Sequence, residues 1–203
     1  KSTPMAVVNV MYDVGARDEN PGKTGFAHLF EHLMFGGSIN IPVYDEPLQL
    51  AGGENNAYTT NDLTNYYCQL PTQNIETAFW LESDRMLSLA FSKKSLEVQR
   101  KVVCEEFKEH YINKPYGDVW HKLREMIYTK HPYRWMTIGK ELKHVEDATL
   151  EDVKAFFQKH YNPANAILVV AGNVETENVA AFRQAKNTTA IFRRNRPKRK
   201  PGF

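Results

Sequence analysis

The chain has 203 residues, enough to bury one core and short for two ordinary domains. Hydrophobic residues make up 42% and charged residues 25%, the balance of a soluble globular protein, and no apolar run approaches the ~18 residues of a membrane-spanning helix. The net charge of +2 is uneven: six basic residues lie in the closing "RRNRPKRKPGF", leaving 20 basic against 24 acidic residues before it, and with no aromatic rings interleaved to stack on bases this tail reads as a solvated linker rather than a nucleic-acid arm.

"MAVVNVMYDVGAR" alternates Val8, Val10, Tyr12 and Val14 against Val7, Asn9, Met11 and Asp13, the two-residue period of a strand. After the punctuation "ENPGKTG", residues 24–37 predict a short amphipathic helix. "DEPLQLAGG" is a second short helical piece stopped by its glycines, and "NNAYTTNDLTNYYCQL" predicts two strands around a turn at Asn61 and Asp62. Helical patterns follow over about 74–90, 94–112 and 117–129, then a ring-rich loop, "HPYRWMTIG". "TLEDVKAFFQKHY" predicts a helix capped by Thr149, with Glu151 and Asp152 in its first turn, where the dipole favours acids. It leads into "NAILVVAG", a continuous apolar run that suits a strand buried on both faces.

Cys68 and Cys104 fall in segments of different type without the spacing of a thiolate metal site, and a disulfide between them is not expected. The opening "KSTPM" has the look of a processed or trimmed start.

On the helix "TGFAHLFEHLMFGG", Phe26, Leu29, Phe30, Leu33 and Met34 fall on one stripe, while His28, Glu31 and His32 share the opposite side at about 200°, 140° and 240° from Phe26. His28 and His32 are one turn apart, so both imidazoles can reach one ion at about 2 Å, and the order H-x-x-E-H is the inverse of the H-E-x-x-H zinc peptidase motif. A polar helix face is more often simply wet, so a metal site here needs a third ligand.

"SLEVQRKVVCEEFKEHY" offers candidates. Glu106 falls at about 300° from Val103, among Leu96, Phe107, Tyr111 and Val102, whereas Glu105 at about 200° points away. A carboxylate inside an apolar stripe wants a cation or a metal. Gln99, two turns earlier, lies above Glu106, in reach of a hydrogen bond to a ligand. The bland alternative pairs Glu106 with Arg100 or His110.

The pieces "HLFEHLMF", "GGENNAYTTNDLTNYY", "QRKVVCEEFKEHYINKPYG", "HPYRWMTIG" and "NAILVVAGNV", in that order, resemble the pitrilysin family of inverted-motif zinc peptidases, which includes insulin-degrading enzyme and the mitochondrial processing peptidase. The resemblance implies an α+β domain with a mixed, largely antiparallel sheet packed against several helices, spanning 1–185, with 186–203 as a basic tail or linker. It implies one Zn2+ ion held by His28, His32 and Glu106, Glu31 as the catalytic base, and peptides or unfolded polypeptides as substrates. Asn56, Ala57 and Tyr58 correspond to the edge strand that pairs with an extended substrate in this family. Gln99 stands where many members carry a second glutamate, and Arg134 and Met136 where Gly and Pro are frequent. The family builds its peptidases from two similar halves, the second supplying an Arg and a Tyr, so a second homologous domain or subunit is expected as partner. A non-catalytic partner subunit is the alternative, against which stands an intact "HLFEH".

Overall fold

The computed structural model describes residues 3–184; the basic tail expected over 186–203 lies outside them. Strand β1 (Met5–Tyr12) buries Ala6, Val8, Val10 and Tyr12 and half-exposes the residues between, as the period-two pattern requires. Helices α1 (Phe26–Phe35) and α2 (Asp45–Leu50) precede the hairpin of β2 (Glu54–Thr59) and β3 (Thr64–Pro71). Helices α3 (Ile75–Ser88), α4 (Lys93–Phe107) and α5 (Val119–Ile127) follow, α4 opening into a wider π-type turn over Lys108–Ile112. A five-residue helix, α6 (Leu142–Glu146), comes next, then α7 (Leu150–His160), β4 (Ala166–Gly172) and α8 (Thr176–Gln184). At α7, Thr149 and Asp152 form a reciprocal capping box, the Thr149 hydroxyl accepting from the Asp152 N–H.

The four strands form one sheet in the order β2-β3-β1-β4, and every pairing is antiparallel. The register places Val8 beside Cys68 and Val170, and Val10 beside Tyr66 and Leu168, so one face of the sheet carries the core. That face is divided along the strands. Val10, Tyr12 and Tyr66 pack with α1, α4 and α7, whereas Ala6, Val8, Cys68 and Leu70 pack with Leu48 of α2 and with Ile75, Ala78, Phe79 and Leu81 of α3. Between the two clusters Arg85, 2% exposed, lies between the rings of Tyr44 and Tyr66, its guanidinium 4.7 and 4.6 Å from their centroids, and bonds to Glu82 at 2.6 Å. Cys68 and Cys104 are buried, free thiols.

One expectation is overturned. The apolar run of β4 is not buried on both faces: Ile167, Leu168 and Val169 are 53, 41 and 50% exposed. A continuous apolar run signals a strand meant for cover on both sides, but here β4 is the last strand of the sheet and only β1 pairs with it among the described residues. The row Val7, Asn9, Met11, Tyr67, Ile167 and Val169 faces away from the helices, and none of its members belongs to either apolar cluster.

Candidate metal centre

Helix α1 starts abruptly. Gly25 precedes it with φ 88°, a left-handed conformation, and a Cβ there would lie 2.7 Å from the Ile138 carbonyl oxygen. From this start the 3.6-residue period buries Phe26, Leu29, Phe30, Leu33 and Met34, leaving His28, Glu31 and His32 half-buried on the other side. Phe30 is fully buried and stacks on Phe156, Phe157 and Tyr161, which fixes the rotation of the helix about its axis.

Helix α4 packs beside α1 and presents Glu106 from its last turn. The Nε2 atoms of His28 and His32 are 3.3 Å apart, and Glu106 Oε2 lies 3.5 Å from the first and 3.4 Å from the second. Four ligands at about 2.1 Å from a tetrahedral ion sit about 3.4 Å from one another. The three atoms therefore form one face of such a tetrahedron, and among the described residues they are the group of His, Cys, Asp and Glu side chains gathered closely enough to hold an ion. Glu105 is exposed and pairs with Lys108 at 2.7 Å. Arg100 donates instead to the carbonyls of Glu146 and Ala148, so it does not neutralise Glu106.

The electrostatics favour ligation. Burial, helped by the neighbouring charge of His32, pushes the His28 imidazolium down to about 4, so the ring is neutral at pH 7 with a lone pair to offer. Its Nδ1 is buried and has no hydrogen-bond partner, whereas Nε2 faces another imidazole nitrogen and a carboxylate oxygen. Two imidazole nitrogens and a carboxylate oxygen turned towards one point are an arrangement that a divalent cation satisfies. Glu31 stands beside this trio without joining it. The Thr59 hydroxyl donates to its Oε2 at 2.6 Å. Burial raises its carboxyl above the usual range and Glu106 adds to this, against the Thr59 hydrogen bond and the charge of His32.

The other expected residues fall less close to this point. Gln99 is half-buried on α4 and makes no side-chain hydrogen bond among the described residues, so the expected link to a ligand is not made here. Asn56, Ala57 and Tyr58 lie on β2, an edge strand. Ala57 and Thr59 face the helices, while Asn56 and Tyr58 point to the open face, and Asn56 Oδ1 accepts from the Ala57 N–H at 2.8 Å. Sequence reading missed Thr59, although the period of β2 placed it on the row of Ala57. It also missed Glu19, which lies in an irregular loop where no period marks a buried acid.

Comparison with known proteins agrees with this architecture. Residues 1–141 match the model of Insulinase (Peptidase family M16), and residues 147–199 match that of the Peptidase M16 inactive domain. The chain belongs to Peptidase family M16, the insulinase or pitrilysin family of zinc peptidases. It is 34% identical to the zinc protease PqqE of Helicobacter pylori over 179 residues, 87% of this chain and 40% of that protein. It is 30% identical to the mitochondrial-processing peptidase subunit beta of Saccharomyces cerevisiae, covering 90% of this chain and 40% of that subunit. Among solved structures, a protease from Helicobacter pylori superposes with a TM-score of 0.84 at 34% identity, covering 89% of this chain and 44% of the other. Pitrilysin shares the fold, with a TM-score of 0.78 at 22% identity over 89% of this chain and 20% of its own. The chain thus spans about 40% of the length of these two curated relatives.

Proposed function

We propose that this chain is the metal-bearing part of a zinc-dependent endopeptidase that hydrolyses peptides or unfolded polypeptides, completed by a second homologous domain or subunit. The observation that carries the reading is the triangle of His28 Nε2, His32 Nε2 and Glu106 Oε2, with sides of 3.3 to 3.5 Å. Imidazole and carboxylate donors in this number suit one Zn2+ ion with a ligand position left open. When bound, zinc polarises a carbonyl and acidifies water.

The chain's own residues do the rest. Glu31 accepts a proton from the attacking water and returns it to the leaving amine; Thr59 holds Oε2, which leaves Oε1 for the proton. Burial supports this role by raising the carboxyl towards the pH at which it must both take and give. The edge of β2 receives the extended substrate backbone, whose strand replaces the local bond between Asn56 and the Ala57 N–H. The need for a second half rests on family membership and on the share of its relatives that the chain spans.

Metal analysis tests the site directly. The chain is expected to bind one zinc per molecule, Glu31→Gln to retain it, and His28→Ala, His32→Ala and Glu106→Ala to lose it. In the peptidase completed by its second half, Glu31→Gln is expected to cut hydrolysis by about 10²- to 10⁴-fold. The 203-residue chain alone is expected to be nearly inert even when loaded. Full activity in Glu31→Gln rejects the base, and zinc retained by Glu106→Ala with unchanged affinity rejects the third ligand.

A further inference from the structure

Helix α1 lacks a capping side chain of its own, because the residue before it is a glycine. Its first N–H groups are nevertheless not orphaned. Glu19, 5% exposed, reaches back from the preceding loop: Oε2 accepts from the Gly25 N–H at 2.9 Å and Oε1 from the Ala27 N–H at 2.8 Å. The same Oε2 accepts from the indole N–H of Trp135 at 3.1 Å, and that indole also donates to the Ala16 carbonyl at 2.9 Å. Trp135 is buried and belongs to "HPYRWMTIG", a loop of the sequence pattern that the metal centre leaves without a task.

The placement is costly. Burial pushes the Glu19 carboxyl up, and the N–H donors at both of its oxygens pull it back down. A second tie runs in parallel: Thr24, just before Gly25, is buried, its hydroxyl 2.8 Å from His144 Nδ1 and accepting from the Lys140 N–H at 2.7 Å. Both ties end on the segment 135–144. His28 is the residue immediately after the N–H that Glu19 holds, so the clamp ties down the turn that carries the first imidazole, while Phe30 sets the rotation of the helix.

We propose that Glu19, locked by Trp135, is a positioning residue for the metal centre: it fixes the first turn of α1 so that His28 Nε2 meets His32 and Glu106 at ligand spacing. The inference rests on the metal reading given above. Glutamine at position 19 turns an NH2 group towards N–H donors and loses one of the two acceptors. Groups that orient ligands from outside the inner set typically cost 10- to 100-fold in metal affinity when changed.

The test uses the 203-residue chain as wild type, E19Q, W135F and L81A, the last opening a cavity in the other apolar cluster, where Leu81 is fully buried. Zinc affinity is measured by competition with a chromophoric chelator, and ligand geometry by the visible absorption of the Co2+ form. Expected results are zinc binding about tenfold or more weaker in E19Q, with a shifted Co2+ spectrum, and wild-type affinity and spectrum in L81A despite its lower stability. W135F, which keeps a ring and removes the N–H donor, is expected to weaken binding a few-fold. An E19Q chain that matches L81A in affinity and spectrum overturns the inference; should E19Q not fold, unchanged affinity and spectrum in W135F overturn it. A wild-type chain that binds neither ion removes the metal reading itself, and this inference with it.

Discussion

Acid is expected to destabilise the metal-free chain through His28. In the folded chain its conjugate acid lies at about 4, against about 6.5 in an unfolded chain, because burial and the charge of His32 both oppose protonation. Between those two values the unfolded chain holds the extra proton. The contribution is therefore complete above pH 6.5, is lost as the pH falls through that window towards 4, and changes no further below it. At about 1.4 kcal/mol per tenfold change in proton affinity the loss comes to about 3 kcal/mol. The side chain is only 17% exposed, so solvent screening removes little of it. The assay is urea unfolding of the metal-free chain from pH 4 to 8, wild type against His28→Gln. Titrating groups away from the site, such as His121 and His160, whose imidazoliums burial also pushes down, are common to both chains and cancel in the difference. The wild-type minus variant stability is expected to fall by about 3 kcal/mol from pH 6.5 to 4. A flat difference, or a rise on acidification, refutes the reasoning, as does an NMR titration of His28 with its midpoint above 6.

Three further outcomes follow from other contacts. Thr59→Val removes the hydroxyl that stabilises the Glu31 carboxylate, so the carboxyl moves further up and the acid limb of peptide hydrolysis in the completed enzyme shifts to higher pH, by about one pH unit. Arg85→Leu leaves Glu82 buried with the Tyr44 hydroxyl alone, and should cost about 3–5 kcal/mol by chemical denaturation. The double variant Glu82→Leu, Arg85→Leu should recover more than half of that, because no charge is then left unpaired.

What could be read from the sequence follows the range of the physics involved. The stripe of α1 and its polar side were legible because helical period is local, and Glu106 was separable from Glu105 on the same ground. The hairpin was legible from its turn residues, and β1 from its alternation. The cover of β4 was not, because an apolar run reports what a strand can bury and not which neighbours it receives. Helix α6 is five residues long, too short to show a period, and its neighbourhood is tied by the contact of Thr24 with His144 across the fold. Glu19, Thr59 and the detachment of Gln99 depend on which loops and strands meet in space, and no spacing along the chain encodes that.

Among the described residues the sheet is clad by helices on one side only, and the row from Val7 to Val169 stays partly wet there. Unfolding of the described residues therefore hydrates less new apolar area than a sheet of this size with both faces covered. Heat capacity change and denaturant slope scale with that area. The stability curve is accordingly broad in temperature, and with a shallow slope each kcal/mol lost to a core substitution moves the denaturation midpoint further than it does in a fully clad domain.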